Sequence, residues 1–493
     1  MSYISQKIKE YFPDLAIMKN SANNSLFAGR NIPSFVKDYI IMRFSDEEGN
    51  VDREKVTDYL DNKIPDKLET IKNRLLAGEQ VNVTVRFDIK SDLKLARTEF
   101  LIPDAGITKR AYVSSALMEE FKDELVEGER WGNITLNYVE PQGYQKGGYI
   151  EMVAYKSFEP YKIDHSYFLA ARQNFSIDEW IDLLIATMEY DPDAFDTMEQ
   201  KKEFIARLLI LVEPRLNIIE LGPKGTGKSY VYNNISKHVW LLSGGTTSRA
   251  KMFYNKATKQ FGLVRNHDAV ILDEISTFGF SDPDEMQSIL KGYLEAGKAS
   301  VDNVLFMSDC GIGLAGNIKL TSEMKPSDSK YFQKLPDMFQ ESATMDRFHS
   351  FIEGWKLPRL EAGSIMEGWT LNAEYFSSVL HKLRTETEYE LLFDKLVEYD
   401  DSCDLRDLKA VKKVATAYAK LLFPQVKSLE DLTPEDADAY RLLYKEYCLD
   451  PAVYRRGIIR EQCHLIDKEF RKEMPEFKLK PVTIQQKPQD THE

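Results

Sequence analysis

The sequence predicts a three-part α/β protein: a core of parallel strands alternating with helices around a phosphate-binding loop, preceded by a mixed helical and β-rich N-terminal module and followed by a helical lid. Three observations carry this. A glycine-rich loop at Gly222–Ser229 stands between an apolar run and a helix-compatible run. Short apolar runs alternate with helical patterns from about residue 176 to 370, the signature of a parallel sheet. The hydrophobic period changes from helical to alternating at Val81 and returns to helical near Ser176.

Size and composition set the frame. With 493 residues, 43% of them hydrophobic, the chain has material for about three domains. A disordered tail, a fibre and a disulfide-stapled mini-protein are excluded. Four separated cysteines (Cys310, Cys403, Cys448 and Cys463) form no CxxC pair and point to a reducing, cytoplasmic setting. The charged N-terminus lacks an apolar leader, and no stretch is long and apolar enough to span a membrane, so neither export nor a membrane partner is expected. The net charge of −14, from 65 basic and 79 acidic side chains, argues at first sight against a nucleic-acid partner.

Taken in order, residues 1–80 read as helices, with Asp52 capping a segment in which Val56, Tyr59, Leu60 and Ile64 recur at helical spacing. Residues 81–170 read as a β-rich module: Val81, Val83, Val85 and Phe87 alternate with polar residues, as do Ile134, Leu136 and Tyr138, and a turn-rich stretch from Pro141 to Gly148 leads into a strand at Tyr149–Tyr155. The capping box Ser176–Glu179 opens the core at 171–370. Ser281 and Pro283 begin a core-facing helix carrying Met286, Leu290 and Leu294. Residues 371–475 read as lid and C-terminal helices, and 476–493 as a flexible tail.

The loop Gly222, Pro223, Lys224, Gly225, Thr226, Gly227, Lys228, Ser229 matches GxxxxGK followed by Ser. Its glycines let backbone N–H groups wrap phosphate oxygens, Lys228 bridges terminal phosphates, and Ser229 ligates Mg²⁺, so ATP with Mg²⁺ is the expected cofactor. The apolar run Ala269–Leu272 ends in Asp273 and Glu274; the first acid holds Mg²⁺ beside Ser229 and the second polarises the attacking water. A third run, Ile312–Gly316, ends in Asn317, an amide placed to sense the terminal phosphate or, alternatively, to start a turn. Arg347, after Met345 and Asp346, reads either as an arginine finger reaching a neighbouring subunit's nucleotide or as a salt-bridge former.

This ordered series resembles the AAA+ ATPases. More narrowly, RLNIIELGPKGTGKSYVYNNIS, DAVILDEIS, LKGYLEAGKAS, GLAGNI and DRFHSFIEGWKLPR are similar to the BrxL family, Lon-related AAA+ ATPases of BREX phage-defence systems, and NIPSFVKDYI, ERWGNITLNY and FSIDEWIDLL extend the likeness over most of the chain. The resemblance implies an AAA+ P-loop core and a DNA-associated ATP hydrolase organised somewhat like MCM helicases. It implies a ring homo-oligomer, a hexamer or stacked hexamers, acting in antiphage defence as a DNA clamp or motor with other BREX components. It assigns Lys228 and Ser229 to Walker A, Asp273 and Glu274 to Walker B, Asn317 to sensor 1, Arg347 to the finger and, through LRDLKAVKKVATA, Arg406 to sensor 2.

Two departures from the family stand out. The helical pattern after Pro424 leaves no room for the family's Lon-type protease domain, so intrinsic peptidase activity is not expected. The stretch Gly297–Val304 carries Lys298 at its base and Asp302 and Asn303 near its middle, where MCM-like proteins place a basic residue.

DNA needs local Lys and Arg whatever the net charge. Three candidate patches qualify: Arg86, Lys90, Lys94, Arg97, Lys109 and Arg110 among Phe87, Phe100 and Tyr112; Lys146 between Tyr144 and Tyr149; and Arg249, Lys251, Lys256 and Lys259 in the core. The alternative function, a Lon-like unfoldase working with a separate peptidase, rests on the mixed run Arg249-Ala-Lys-Met-Phe-Tyr254, which offers both charge and aromatics. The seven histidines lack metal-binding spacing, and Cys310 reads as a buried thiol.

Overall fold

The computed structural model describes every residue except 1, 31, 65–67, 93–96, 122–124, 126–127, 142–146, 159–163, 257–259, 302 and 482–493. Lys94, Tyr144, Lys146, Lys259, Asp302 and most of the expected tail therefore lie outside the described residues. The chain divides into two compact units, one of Met1–Ala16, Ile163–Ser248 and His267–Glu493, the other of Ile17–Lys162 and Arg249–Asn266. The expected boundaries at 80 and 370 do not coincide with this division. The first sixteen residues belong with the core because Phe12 packs edge-on to Tyr167 at 5.9 Å and the Trp369 N–H donates to Ser5 Oγ at 2.6 Å.

In the second unit, the alternating apolar residues close on themselves. Strands β1 (Val81–Asp92), β2 (Arg97–Leu101), β3 (Ala111–Val113), β4 (Gly128–Val139) and β5 (Tyr149–Ser157) form a closed barrel in the order β1-β2-β3-β5-β4. All pairs are antiparallel except β3 with β5. A helix, Ser115–Glu120, joins β3 to β4, its Ser114 cap accepting from the Leu117 N–H. This order and crossover are those of an OB-type barrel. Its core is filled by Val81, Val83, Phe87, Phe100, Ile134 and Leu136, with Ile71 and Leu75 of the helix Leu68–Leu76 among the buried set.

In the first unit, strands β6 (Ile218–Gly222), β7 (Val239–Ser243), β8 (Ala269–Asp273), β9 (Gly311–Asn317) and β10 (Ser350–Glu353) form one parallel sheet in the order β10-β6-β9-β8-β7. Such strands are buried on both faces, which explains their continuous apolar character. Helix α1 (Ile177–Thr187) starts at the expected capping box, with both reciprocal hydrogen bonds made. Helix α2 (Lys228–Asn234) follows the phosphate loop. Helix α3 (Pro283–Ala296) is capped by Asp282 rather than Ser281, because the Asp carboxylate accepts the Glu285 N–H.

Beyond β10 the chain is mainly helical, with α4 (Ala373–Arg384), α5 (Leu405–Leu422) and α6 (Asp450–Ile466) in the same compact unit as the sheet. Trp180 of α1, fully buried, donates its indole N–H to Leu421 O of α5 at 2.9 Å. A π-turn at Lys445–Leu449 joins the helix Pro434–Tyr444 to α6, so the rod continues through Pro451. Among the described residues no helix is long and apolar enough to cross a membrane.

Candidate nucleotide site

The parallel register brings the sequence-predicted residues to one edge. Gly222 ends β6, Asn317 ends β9 directly opposite it, and Asp273 ends β8 on the far side of β9. Asn317 thus stands between the phosphate loop and the acid pair. The loop keeps its shape through Gly225 at φ +87° and Gly227 at φ +76°, both left-handed. Gly222 is fixed for a different reason: a Cβ there would lie 2.6 Å from Gly354 backbone.

Ser229 Oγ donates to Asp273 Oδ2, while Asp273 Oδ1 accepts the Glu274 N–H at 2.8 Å. A hydroxyl and a carboxylate in contact form the hard-oxygen pair that suits Mg²⁺. Lys228 is buried, with its ammonium donating to Pro223 O at 2.8 Å and Gly222 O at 3.3 Å. Burial lowers its pKa, and nearby Glu220 only partly opposes this. A desolvated ammonium held on loop carbonyls is suited to receive phosphate oxygens. Glu274 is exposed at the strand end with φ +53°, a sparsely populated conformation for a residue with a side chain.

Several parts of the site carry no local sequence signal. Leu360 N–H donates to Gly225 O at 2.8 Å, and the Tyr190 hydroxyl lies 2.8 Å from where a Gly227 Cβ would be. Beneath the loop, Arg207 and Glu220 form a fully buried bidentate pair. Only the Glu within the apolar run Asn217–Leu221 hinted at it.

Arg347 and Arg406 are not brought to this loop. Arg347 precedes β10, whose Ser350 pairs with Ile218 at the opening of β6, so it lies at the opposite edge of the sheet. Its Nε is 3.1 Å from Glu295. Arg406 shares that carboxylate at 3.2 Å and reaches Asp346 at 2.9 Å. Arg406, expected as sensor 2, is held beside Arg347 by these carboxylates, away from this chain's own loop.

Of the basic candidates in the barrel unit, Arg86 pairs with Asp104 and Lys90 with Asp88. Arg97 instead lies over the Tyr112 and Tyr149 rings at 5.3 and 5.4 Å. Arg249–Asn266 belongs to the barrel's compact unit rather than to the core, and Met252 and Phe253 are fully buried. Lys298 opens the hairpin Lys298–Val301 with Val304–Met307, pairing with Met307 at its base as expected.

At the sheet's other edge His238, Asp268 and His381 converge within 4.8 Å, a grouping no sequence spacing announced. The two imidazoles stack at 4.1 Å and 11°, so their in-plane lone pairs do not meet, and His381 Nδ1 already lies 2.6 Å from Asp268. Asp268 also lies 3.4 Å from the Arg384 guanidinium. Burial pulls the His238 pKa down to about 3 against the opposing pull of Asp268, and burial also holds His349 well below its usual value. His349 is neutral, its Nδ1 accepting the Asn217 N–H at 2.9 Å.

Both histidines therefore take up protons more readily unfolded than folded. Stability is greatest above about pH 6.5 and falls as pH drops below it, for His238 until about pH 3. A melting temperature lower at pH 5 than at 7.5 is expected. His238→Phe, which keeps a ring on His381, should reduce that difference; an unchanged difference would contradict the assignment.

Comparison with known proteins points to one family. A family model described as "Lon-like protease BrxL-like, ATPase domain" matches residues 150–476, and one for "BREX system Lon protease-like protein BrxL N-terminal" matches residues 10–138. The chain is 29% identical over 414 residues to the Lon-like protease BrxL of Escherichia coli O9:H4 (strain HS), covering 83% of this chain and 59% of that protein. It is 27% identical over 439 residues to the Lon-like protease BrxL of Bacillus cereus (strain H3081.97), covering 87% and 64%. It thus spans less than two thirds of the length of these relatives.

Proposed function

Because the chain belongs to the BrxL family and carries that family's ATPase domain, we propose that it is a DNA-associated ATP hydrolase working as a ring, whose nucleotide state closes or moves the ring on DNA in antiphage defence. The observation that carries the ring reading is the placement of Arg347. Five residues of strand at about 3.3 Å each separate it from its own phosphate loop, roughly 16 Å, so a part for it in hydrolysis would need a nucleotide held by another copy.

Within one subunit the roles divide by position. Backbone N–H groups of Lys224–Gly227 and the Lys228 ammonium hold the phosphates. Ser229 and Asp273 would hold Mg²⁺, which supplies charge neutralisation of the phosphates when bound. Glu274 accepts a proton from the attacking water, and Asn317 orients that water or the terminal phosphate. No step requires a peptidase.

For DNA, support comes from Arg97 lying over Tyr112 and Tyr149 on the β2–β3 side of the barrel, a side that barrels of this type use for oligonucleotides. Lys94 and Lys146 lie in sequence in the β1–β2 and β4–β5 connections that flank it. The unfoldase alternative gains nothing from the run at 249–254, since Met252 and Phe253 are buried.

Imaging the full chain with DNA and a slowly hydrolysed ATP analogue tests the reading. Closed rings with Arg347 at the subunit boundary are expected. Arg347→Ala should keep ATP binding and lose turnover by about 10³-fold or more. Monomers under those conditions, or full turnover in the variant, would sink it.

A further inference from the structure

The barrel unit contains a second basic and aromatic site on another side of the barrel, made by β1, β4 and β5. The register aligns outward-facing residues in two rows: Asn82 opposite Thr135 and Thr135 opposite Ala154, then Thr84 opposite Asn133 and Asn133 opposite Lys156. The helices Ser34–Arg43 and Arg53–Lys63 bring Tyr39, Arg43, Tyr59 and Lys63 to the same place. Together they line a cavity of about 430 Å³, within the size range of small-ligand sites.

The charge in this cavity differs from that at Arg86 and Lys90. Among the described residues no carboxylate lines it. Among the described residues Lys63 donates only to the Asn82 amide oxygen, at 3.1 Å, and Arg43 donates to the Tyr39 hydroxyl at 2.9 Å. Lys156 is exposed and forms no ion pair among the described residues. In a chain of net charge −14, where Arg86, Lys90 and Arg30 each pair with an acid, three cations facing one cavity without a carboxylate mark an anion site.

The remaining lining fits a planar ring. Arg43 lies over the Tyr59 ring at 5.4 Å, and Tyr39 packs edge-on to Phe158 at 5.2 Å, which fixes its ring. Asn82 and Thr135 are bonded to each other at 3.0 Å, and Thr84 donates to Asn133 Oδ1, leaving the Asn133 amide N–H groups for a ligand. Ala154 supplies room where a larger side chain would fill the floor.

We propose that this cavity binds one nucleotide unit, its phosphate against Arg43, Lys63 and Lys156 and its base beside Tyr39, with Asn133 bonding the base edge. The unit comes from a free mononucleotide or from an unpaired strand; the chemistry is the same. The inference is independent of the ATPase reading.

Fluorescence anisotropy of the full chain with a labelled thymidylate tetramer, at low and high salt, tests it. Arg43→Glu and Lys156→Glu are each expected to weaken binding by about tenfold, and the double variant more, while the melting temperature and DNA-free ATP turnover stay unchanged. Tyr39→Phe should bind like the parent and Tyr39→Ala more weakly. Displacement of the tetramer by dTMP identifies a free-nucleotide site; resistance to dTMP with loss in the double variant identifies a strand site, and both support the proposal. Equal displacement by inorganic phosphate, or unaltered binding in the double variant, would overturn it. DNA-stimulated turnover that survives in the double variant leaves the motor or clamp reading standing while this assignment is judged on the tetramer alone.

Discussion

Glu274→Gln is expected to leave ATP affinity within about threefold of the parent while lowering turnover by about 10²–10⁴-fold, the usual effect of removing a positioned proton acceptor. The amide keeps the shape and leaves Asp273 and Ser229 in contact, so the phosphate and Mg²⁺ ligands persist. What is lost is the acceptor. The backbone sharpens the test, because Glu274 stands at φ +53° where a side chain is strained. Glu274→Gly should therefore be as inactive as the Gln variant yet at least as stable, by up to about 1–2 kcal/mol. Calorimetric ATP binding, steady-state turnover and thermal melting separate these effects. A Gln variant that still turns over at more than a tenth of the parent rate would remove Glu274 from the chemistry.

The largest stability effect is expected beneath the phosphate loop. Arg207 and Glu220 are 0% and 1% exposed and bonded through both carboxylate oxygens. Burial works against the guanidinium charge, but Glu220 more than offsets this, so the Arg207 pKa is raised. Arg207→Met leaves a buried carboxylate unpaired, which costs about 3–5 kcal/mol. At about 2–4 °C per kcal/mol this corresponds to a fall in melting temperature on the order of 10 °C. Arg207→Met with Glu220→Met should recover most of the loss, since an apolar pair of similar volume carries no desolvated charge. If the single variant melts like the parent, the pair does not hold the sheet under the loop.

What could be read from the sequence was whatever depends on near neighbours. The phosphate loop, the acids after β8 and the amide after β9 were legible because each sits at the end of an apolar strand, and a parallel register then brings strand ends together. The capping box of α1 was legible for the same local reason. Arg406 was not, since the carboxylates that hold it, Glu295 and Asp346, lie 111 and 60 residues away.

Barrel closure was equally hidden. Alternation showed strands at Val81 and Ile134, but nothing local shows that Ala111–Val113 pairs in parallel with Ile150–Met152. The cation cavity on β1, β4 and β5 escaped too. It joins Arg43, Lys63 and Lys156 from three separate elements, none of which forms a charge run in the sequence.

Net charge loses its force as evidence against a nucleic-acid partner, because local pairing decides which cations are available. The central claim, ATP turnover coupled to DNA, is tested most directly by the steady-state hydrolysis rate of the full chain with and without DNA at low and high salt. A several-fold change in rate on adding DNA, diminished as salt rises, is the predicted result. A rate indifferent to DNA at every salt concentration would contradict it.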